Sequence, residues 1–283
     1  MYKIGIIGNG FVGSSVAFGF SAQTGCEAEV KINDKDKSKS THSLTETLDS
    51  DFIFVSVPTP SNPDGSINLD IVYKAFDEIN FQNMNDDNVF LLRSTVTPGT
   101  TRGLQERYPD LNIIFNPEFL TERSAKFDFI NQARFILGGE EKNTTAVEKL
   151  YKWRFGETIS VLKTDFETAE FVKYMNNCYF ASKVSFMNEM YQIAEKSGVD
   201  WKMAVEGFVT DGRIGHSHLS VPGPDGKFGF GGSCFPKDIQ AMINFADSKN
   251  VLTNVLNGAW KTNLEVRPEQ DWKELKGRAV TEE

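Results

Sequence analysis

The stretch Gly8-Asn9-Gly10-Phe11-Val12-Gly13 decides the fold class of this sequence. It follows an apolar run from Lys3 to Ile7 and opens a helical pattern. In that context the first glycine allows a tight turn, the second lets the backbone approach a pyrophosphate, and the third lets the next helix pack closely on the sheet. The positive end of that helix then faces the phosphates. The stretch predicts a Rossmann domain that binds a dinucleotide.

The residues around this loop continue the same architecture. The first 165 residues alternate short β-rich runs with helical stretches, which indicates an α/β domain with a largely parallel sheet. Strands are predicted at 3–8, 29–34, 51–58, 88–96, 112–116, 135–139 and 158–163, with helices at 11–22, 69–80, 99–107 and 143–154.

A change of pattern at Asp165 predicts a second domain. Asp165 can cap a helix, apolar residues then recur at helical spacing to about Ser197, and Gly198 supplies a stop. Two more helices are expected at 236–249 and 251–264, after a glycine- and proline-rich loop at 211–238. The predicted limits are 1–165 for the Rossmann domain, 166–265 for a small all-α domain, and 266–283 for a charged tail.

Composition excludes several classes of partner. A net charge of -9 argues against nucleic acid and anionic membranes. The chain starts directly in a strand and has no apolar run near the roughly 18 residues of a membrane span, so a cytoplasmic protein is expected. The three cysteines form no CxxC pair, and we expect neither a disulfide framework nor a bound metal.

Asp34 indicates which dinucleotide is bound. It ends the second predicted strand, where a carboxylate accepts hydrogen bonds from the adenosine ribose and repels a 2'-phosphate. NAD is therefore favoured over NADP, although Lys35, Lys37 and Lys39 are cations that would tolerate a phosphate.

Two further positions place reactive side chains in unusual surroundings. Lys173 and Asn177 lie four residues apart on the long helix, and a pair of polar side chains at this spacing usually forms a solvated surface. Apolar neighbours on nearly every side instead predict that the lysine points into a cavity. Cys234 lies in a glycine-rich loop just before a helix, where Lys237 and the helix end favour the nucleophilic thiolate. The alternative for Cys234 is a small buried core residue.

With these motifs in order, the sequence resembles the nucleotide-sugar 6-dehydrogenases over nearly its whole length. The resemblance is carried by five motifs in approximate register, namely 8–13, 94–100 (Ser-Thr-Val-Thr-Pro-Gly-Thr), 116–122 (Asn-Pro-Glu-Phe-Leu-Thr-Glu), Lys173 with Asn177, and 231–238 (Gly-Gly-Ser-Cys-Phe-Pro-Lys-Asp). It implies NAD-dependent four-electron oxidation of UDP-glucose to UDP-glucuronate, with GDP-mannose or another nucleotide sugar as the alternative substrate.

The resemblance also implies roles for individual residues. Cys234 is the expected nucleophile, because hydride cannot leave a trigonal aldehyde carbon until a nucleophile has added to it. The other expected catalytic residues are Lys173, Asn177, Asp238, Glu118 and Thr95. Expected cofactor contacts are Gly8, Gly10, Phe11, Val12, Gly13, Asp34, Lys39, Thr59, Thr95, Glu122 and Lys237. Expected substrate contacts are Glu118, Phe119, Leu120, Lys173, Asn177, Arg213 and Gly231.

The sequence departs from the family in two places. Family members usually continue into a third domain that helps to bind the nucleotide, whereas this sequence ends at Glu283, so a short form is expected. The usual asparagine-rich substrate loop is replaced by a stretch with His216 and His218, expected to face substrate or solvent. An alternative of another class is therefore an NAD-binding interaction protein with reduced catalysis.

A homodimer through the long helix is the predicted assembly. The resemblance implies dimerisation in this region, and a bulky apolar face offers a surface for it. That face comprises Phe180, Val184, Met187, Met190 and Tyr191. The alternative is that this face packs only on the chain's own C-terminal helices.

Overall fold

The computed structural model describes residues 1–82 and 87–282, and its first compact unit is an α/β domain around a single sheet. This unit comprises Met1–Thr59 and Leu69–Lys173. Its seven strands run in the order β2-β1-β3-β4-β5-β6-β7 and are Lys3–Ile7, Glu29–Asn33, Phe52–Val55, Val89–Leu92, Asn112–Phe115, Arg134–Gly138 and Ser160–Thr164. All neighbouring pairs are parallel except β5 and β6, which meet only at Phe115 and Gly138. The predicted α/β class with a largely parallel sheet is confirmed.

Helices cover both faces of this sheet, so its central strands are apolar throughout. All four residues of β3 and of β4 are buried, as a parallel sheet between helices requires. The helices of this unit are Phe11–Gly19 (α1), Leu44–Leu48 (α2), Asp70–Asn80 (α3), Thr100–Arg107 (α4), Ala125–Ile130 (α5) and Glu141–Phe155 (α6). Phe76 and Leu104 belong to the core on one face, and Val16 and Leu150 to the core on the other.

Three short helices were not predicted, namely α2, α5 and Trp201–Phe208 (α8). The first carries a readable signal, because Ser43 and Glu46 form a reciprocal capping box at its start. None of the three is long enough to show a clear helical period, so their positions are set by packing.

The long helix α7 extends over Phe166–Ser197, 32 residues or about 48 Å. Asp165 caps it, since its carboxylate accepts from the Thr168 amide at 2.7 Å and from the Thr168 hydroxyl at 2.9 Å. Gly198 ends it with φ of +67°, and the next amide turns back to the Ala194 carbonyl at 3.0 Å. Both predicted ends are confirmed.

The second compact unit is helical and comprises Pro60–Asn68 together with the chain from Tyr174 onward. Besides its part of α7 it contains α8, Phe235–Ser248 (α9) and Asn254–Val266 (α10). Its core includes Tyr174, Ala181, Ile239 and Ala259. No helix of the described residues is both long enough and apolar enough to cross a membrane.

The units differ from the predicted limits of 1–165, 166–265 and 266–283. The first turns of α7 belong to the first unit, because Phe166 and Ala169 are buried in its core. The loop Pro60–Asn68 belongs to the second unit, where the Ser61 amide donates to the Ala279 carbonyl at 2.9 Å. Sequence periodicity cannot reveal either grouping, since both depend on contacts distant along the chain.

The segment predicted as a charged tail is packed. Trp272 lies in a short 3-10 turn, Asp271–Glu274, and is 2% exposed, and Ala279 is 1% exposed. The Trp272 ring contacts Trp260 of α10 with ring centroids 5.4 Å apart. The last residue of that prediction, Glu283, lies outside the described residues.

The apolar face of α7 that was considered for dimerisation packs within the chain. Val184 contacts the core beneath α9 and α10, while Met187 and Tyr191 join a cluster with Leu219 and Val221. A different face of the helix is exposed, with Met175, Tyr179, Phe186 and Ile193 each about half exposed or more.

A buried carboxylate holds the start of α4. Glu170 is 0% exposed and accepts from the Gly99 amide at 2.6 Å, the Thr101 amide at 2.7 Å and the Thr101 hydroxyl at 2.6 Å. Burial outweighs these hydrogen bonds and raises the pKa of Glu170 to about 7.

Glu170 is expected to make stability fall as pH rises. The folded state holds this proton more tightly than the unfolded chain, so stability decreases between about pH 4.5 and pH 7, by about 3 kcal/mol. The Glu170→Gln variant should lose this slope in urea unfolding measured from pH 4.5 to pH 8. Glu167→Gln, one turn earlier and paired with Arg102, should keep it. An unchanged slope in Glu170→Gln would refute the assignment.

Candidate active site

The glycine loop joins β1 to α1 where the strand order of the sheet reverses. Ligands of open α/β sheets bind at such a switch point, beyond the carboxyl ends of the strands. Gly8 has φ of +88°, and a Cβ there would collide with the Ser56 carbonyl beyond β3. A Cβ at Gly13 would overlap the Gly8 carbonyl oxygen. These two glycines are required by the fold itself.

Gly10 differs, because the protein does not require a glycine there. Its φ is -77°, and no described atom lies within 4 Å of the position that a Cβ would take. It precedes α1, whose first turn carries no acidic side chain. An open cradle at a helix N-terminus suits a pyrophosphate, so the loop fits NAD.

Asp34 follows β2 and is tied to the glycine loop. One of its carboxylate oxygens accepts from the Asn9 amide at 2.6 Å, and the other accepts from the Asp36 amide at 2.8 Å. A carboxylate has about four acceptor positions, so both oxygens can also accept from ribose hydroxyls. Lys39 is exposed and pairs with Asp36 at 3.6 Å.

Three other predicted cofactor contacts lie elsewhere in the first unit. The Thr59 hydroxyl is buried and donates to the Thr95 carbonyl at 2.9 Å, which holds the loops after β3 and β4 together. Thr95 itself is half-buried. Glu122 is exposed in a short 3-10 turn. The cofactor roles of these residues stay predictions.

Lys173 and Glu118 form a buried ion pair. The ammonium donates to the Glu118 carboxylate at 2.9 Å and to its backbone carbonyl at 2.6 Å, and both side chains are almost fully buried. Burial opposes ionisation of Glu118, but the Lys173 charge and hydrogen bond, with the Leu120 amide, outweigh it and lower its pKa. The cavity predicted for Lys173 is a buried polar site with a fixed positive charge.

Neighbouring residues hold this pair in place. Asn116, two residues before Glu118, accepts from Arg93 and from the Tyr151 hydroxyl, each at 2.5 Å. Phe119 lies beneath the Lys173 ammonium, 5.5 Å from its ring centroid. The sequence motifs did not indicate Arg93. Its position directly after a buried strand is the one sequence feature that could have drawn attention to it.

Asn177, Lys237 and Asp238 form a second buried polar group, in the second unit. Asp238 is 0% exposed, accepts from the Asn177 side-chain amide at 2.6 Å and pairs with Lys237. The structure therefore brings together the predicted catalytic residues Asn177 and Asp238. Lys237, predicted near the cofactor, directs its charge to Asp238.

Cys234 begins α9, one turn before Asp238. The Asp238 amide donates to the Cys234 carbonyl at 2.9 Å, and Pro236 occupies the first turn. Cys234 is half-buried, whereas the other two cysteines are buried. Burial raises the pKa of Cys178 to about 12 and also raises that of Cys26, so both thiols are unreactive near neutral pH. Cys234 is the cysteine with access to a ligand.

The remaining predicted substrate contacts are less enclosed. Arg213 is exposed and pairs with Asp211. Gly231 lacks room for a Cβ because the Arg267 guanidinium lies against it. His218 is stacked on Phe180 with centroids 4.2 Å apart. The described residues contain no group of three or more His, Cys, Asp or Glu side chains arranged to hold a metal ion.

The sheet, the glycine loop and Asp34 define a Rossmann-fold protein that binds NAD. Comparison with family models then identifies its family. The NAD binding domain of the UDP-glucose/GDP-mannose dehydrogenase family matches residues 32–154, and the central domain of that family matches residues 167–265. The chain belongs to the UDP-glucose/GDP-mannose dehydrogenase family.

Individual relatives agree with this assignment. A UDP-glucose 6-dehydrogenase of Rickettsia conorii is 37% identical over 213 residues, which are 74% of this chain and 48% of the relative. The chain spans about half the length of the curated relatives it matches.

Solved structures are also similar. A UDP-glucose dehydrogenase of Pyrobaculum islandicum gives a TM-score of 0.79 at 28% identity over 94% of this chain and 68% of that one. A GDP-mannose dehydrogenase of Pseudomonas aeruginosa gives 0.66 at 26% identity over 94% and 69%.

Alanine at Gly10 should weaken NAD binding and leave stability unchanged, whereas alanine at Gly13 should lower stability. Gly10→Ala should melt within about 1 °C of the wild type, because its Cβ meets open space, yet bind NAD at least about tenfold more weakly, because that space receives the pyrophosphate. Gly13→Ala should lower the melting temperature by several degrees, because its Cβ overlaps the Gly8 carbonyl. Calorimetric titration with NAD and thermal melting measure both effects. Normal NAD affinity in Gly10→Ala would contradict the site.

Proposed function

We propose that this protein oxidises UDP-glucose to UDP-glucuronate in two NAD-dependent steps, with Cys234 as the nucleophile. The observation that carries the proposal is the position of Cys234, half-buried at the start of α9 and one turn before Asp238. UDP-glucose is favoured because the curated relatives with 34–37% identity and matching about three quarters of this chain are named UDP-glucose 6-dehydrogenases.

The chemistry requires a nucleophile to add to the aldehyde between the two oxidations. NAD, when bound, accepts a hydride from the sugar C6 in each. The alcohol first loses hydride and a proton to give an aldehyde. The Cys234 thiol adds across the C=O bond of that aldehyde, and the resulting thiohemiacetal loses hydride and its hydroxyl proton to give a thioester. Water then hydrolyses the thioester to the carboxylate and returns the thiol.

The two buried polar groups suit separate tasks in this sequence. Lys173, held by Glu118, supplies a fixed positive charge for a developing oxyanion without reorganisation. Asp238, held by Asn177 and Lys237, supplies a carboxylate one turn from the nucleophile, suited to activating or positioning the hydrolytic water. Thr95, in the loop after β4, is proposed to hold water or cofactor.

The Cys234→Ala variant tests the mechanism. The wild type should form two NADH per UDP-glucose, whereas Cys234→Ala should form at most one, because the aldehyde cannot be made tetrahedral on the enzyme. NADH absorbance and chromatography of the sugar products measure this ratio. Cys178→Ala is the matched control and should keep two, since its thiol is buried.

Each other outcome has a definite meaning. Completion of both oxidations by Cys234→Ala at the normal rate would overturn the thioester route. Faster oxidation of GDP-mannose than of UDP-glucose would assign GDP-mannose as the substrate in place of UDP-glucose. NAD binding without turnover of any nucleotide sugar would favour an interaction protein.

We also propose that the protein is a homodimer through α7. The exposed face with Met175, Tyr179, Phe186 and Ile193 has spacings of four and seven residues, so these side chains form one apolar stripe. A row of exposed large apolar side chains on one helix face is typical of an interaction site. We propose, in addition, that the protein lies in the cytoplasm, as the sequence predicts.

Charges on that stripe should separate the dimer. The double variant Tyr179→Glu, Phe186→Glu should elute as a monomer in size-exclusion chromatography with light scattering, because paired copies would bury four carboxylates. Lys261→Glu, on an exposed face of α10, should leave the mass unchanged. A wild-type mass of one chain at micromolar concentration would rule out this assembly.

A further inference from the structure

The segment that leads into Cys234 has little intrinsic rigidity. Three of the four residues 229–232 are glycines, and Gly229 and Gly232 have positive φ, +65° and +73°. Fixing a backbone residue in one conformation costs conformational entropy, and glycine, which has the most conformational freedom to lose, costs the most. A thiol at the end of such a segment is held in one place only if other groups hold the segment.

Two asparagine side chains hold part of this segment by hydrogen bonds. The Gly229 amide donates to Asn188 of α7 at 3.1 Å. Asn263 of α10 accepts from the Phe230 amide at 2.7 Å and donates to the Phe230 carbonyl at 3.0 Å, as a neighbouring strand would. These bonds fix the first two residues of the segment, Gly229 and Phe230, and packing places Gly231 and Gly232.

Arg267, which directly follows α10, provides that packing. Its side chain is 3% exposed and lies against Gly231, where a Cβ would be 2.5 Å from the guanidinium. It donates to Asp271 at 2.9 and 2.7 Å, to Asp225 at 2.9 Å, and to the Phe228 carbonyl at 3.3 Å. One guanidinium thus connects the start of the glycine segment with the chain after α10.

We propose that Arg267, clamped by Asp225 and Asp271, is a positioning residue that fixes the glycine segment and thereby directs the Cys234 thiol at the sugar carbon. The inference rests on the proposed function of Cys234 as the nucleophile. The packed segment after α10 is then a support of the site, since it supplies Asp271.

The charges around Arg267 favour a positioning role for this residue over a role in stability alone. The Asp225 and Asp271 side chains are 46% and 27% exposed, so water can solvate them without Arg267. The buried guanidinium, in contrast, makes its remaining contacts with Phe228 and Gly231 of the segment. Hydrogen bonds from Arg267 hold the pKa of Asp271 far below its ordinary value, so the clamp stays charged wherever a thiolate can form.

Arg267→Met and Asp271→Asn test the proposal in the full chain, with Arg267→Lys as the conservative variant and Lys261→Met on the same helix as the control. Turnover of UDP-glucose should fall roughly tenfold to a hundredfold in Arg267→Met, because small misplacements of a reacting group cost that much. The KM for NAD should stay unchanged. Arg267→Lys should recover part of the rate, and Asp271→Asn should lose several-fold.

Alkylation by iodoacetamide, mapped by mass spectrometry, gives a readout that does not need turnover. Loosening the segment should expose the half-buried Cys234, so its alkylation should become several-fold faster in Arg267→Met, while Cys26 and Cys178 stay protected. Unchanged alkylation and unchanged turnover would overturn the proposal. Equal acceleration at all three cysteines would also overturn it, since that result indicates general unfolding. Failure of the proposed function would appear separately, as two NADH per sugar from Cys234→Ala.

Discussion

The fold of the first unit depends on the close approach of α1 to β1. Gly13 lies so near the Gly8 carbonyl that a Cβ cannot be accommodated, and a Cβ at Gly8 would likewise collide with the Ser56 carbonyl. These contacts bring the helix N-terminus to the edge of the sheet, where the strand order reverses. Gly10, between them, is left with open space on its Cβ side. Steric exclusion by backbone atoms therefore creates the cradle for an anionic ligand.

Two buried carboxylates of the candidate site, one in each unit, follow the same rule, since each is held by two partners. Glu118 is held by Lys173 and the Leu120 amide, Asp238 by Asn177 and Lys237. An isolated buried charge would be too costly, whereas a paired and hydrogen-bonded one is stable and preorganised. The same arrangement that makes these groups tolerable keeps them ready for charge that develops on a substrate.

Sequence patterns predicted the long regular elements well and the short ones poorly. All seven strands occur near their expected positions, and Asp165 and Gly198 bound α7 as expected. The helices α2, α5 and α8 were missed because five to eight residues give too little periodicity. For the candidate site, motifs in register singled out Glu118, Lys173 and Cys234, whose catalytic roles stay predictions, but not Arg93 or Arg267. Arg93 meets Asn116, and Arg267 meets Asp225 and Gly231, only after segments far apart in sequence have come together.

The sequence by itself determined the class of the molecule. Glycines at fixed spacing after a strand and an acid at the end of the next strand are local features, and local sterics and hydrogen bonding fix the turn and the close helix approach that they allow. Only the tertiary structure decided that Lys173 meets Glu118, that Gly231 makes room for Arg267, and that the segment after α10 is packed. These outcomes depend on long-range packing and on the cost of burying charge, which no short stretch of sequence encodes.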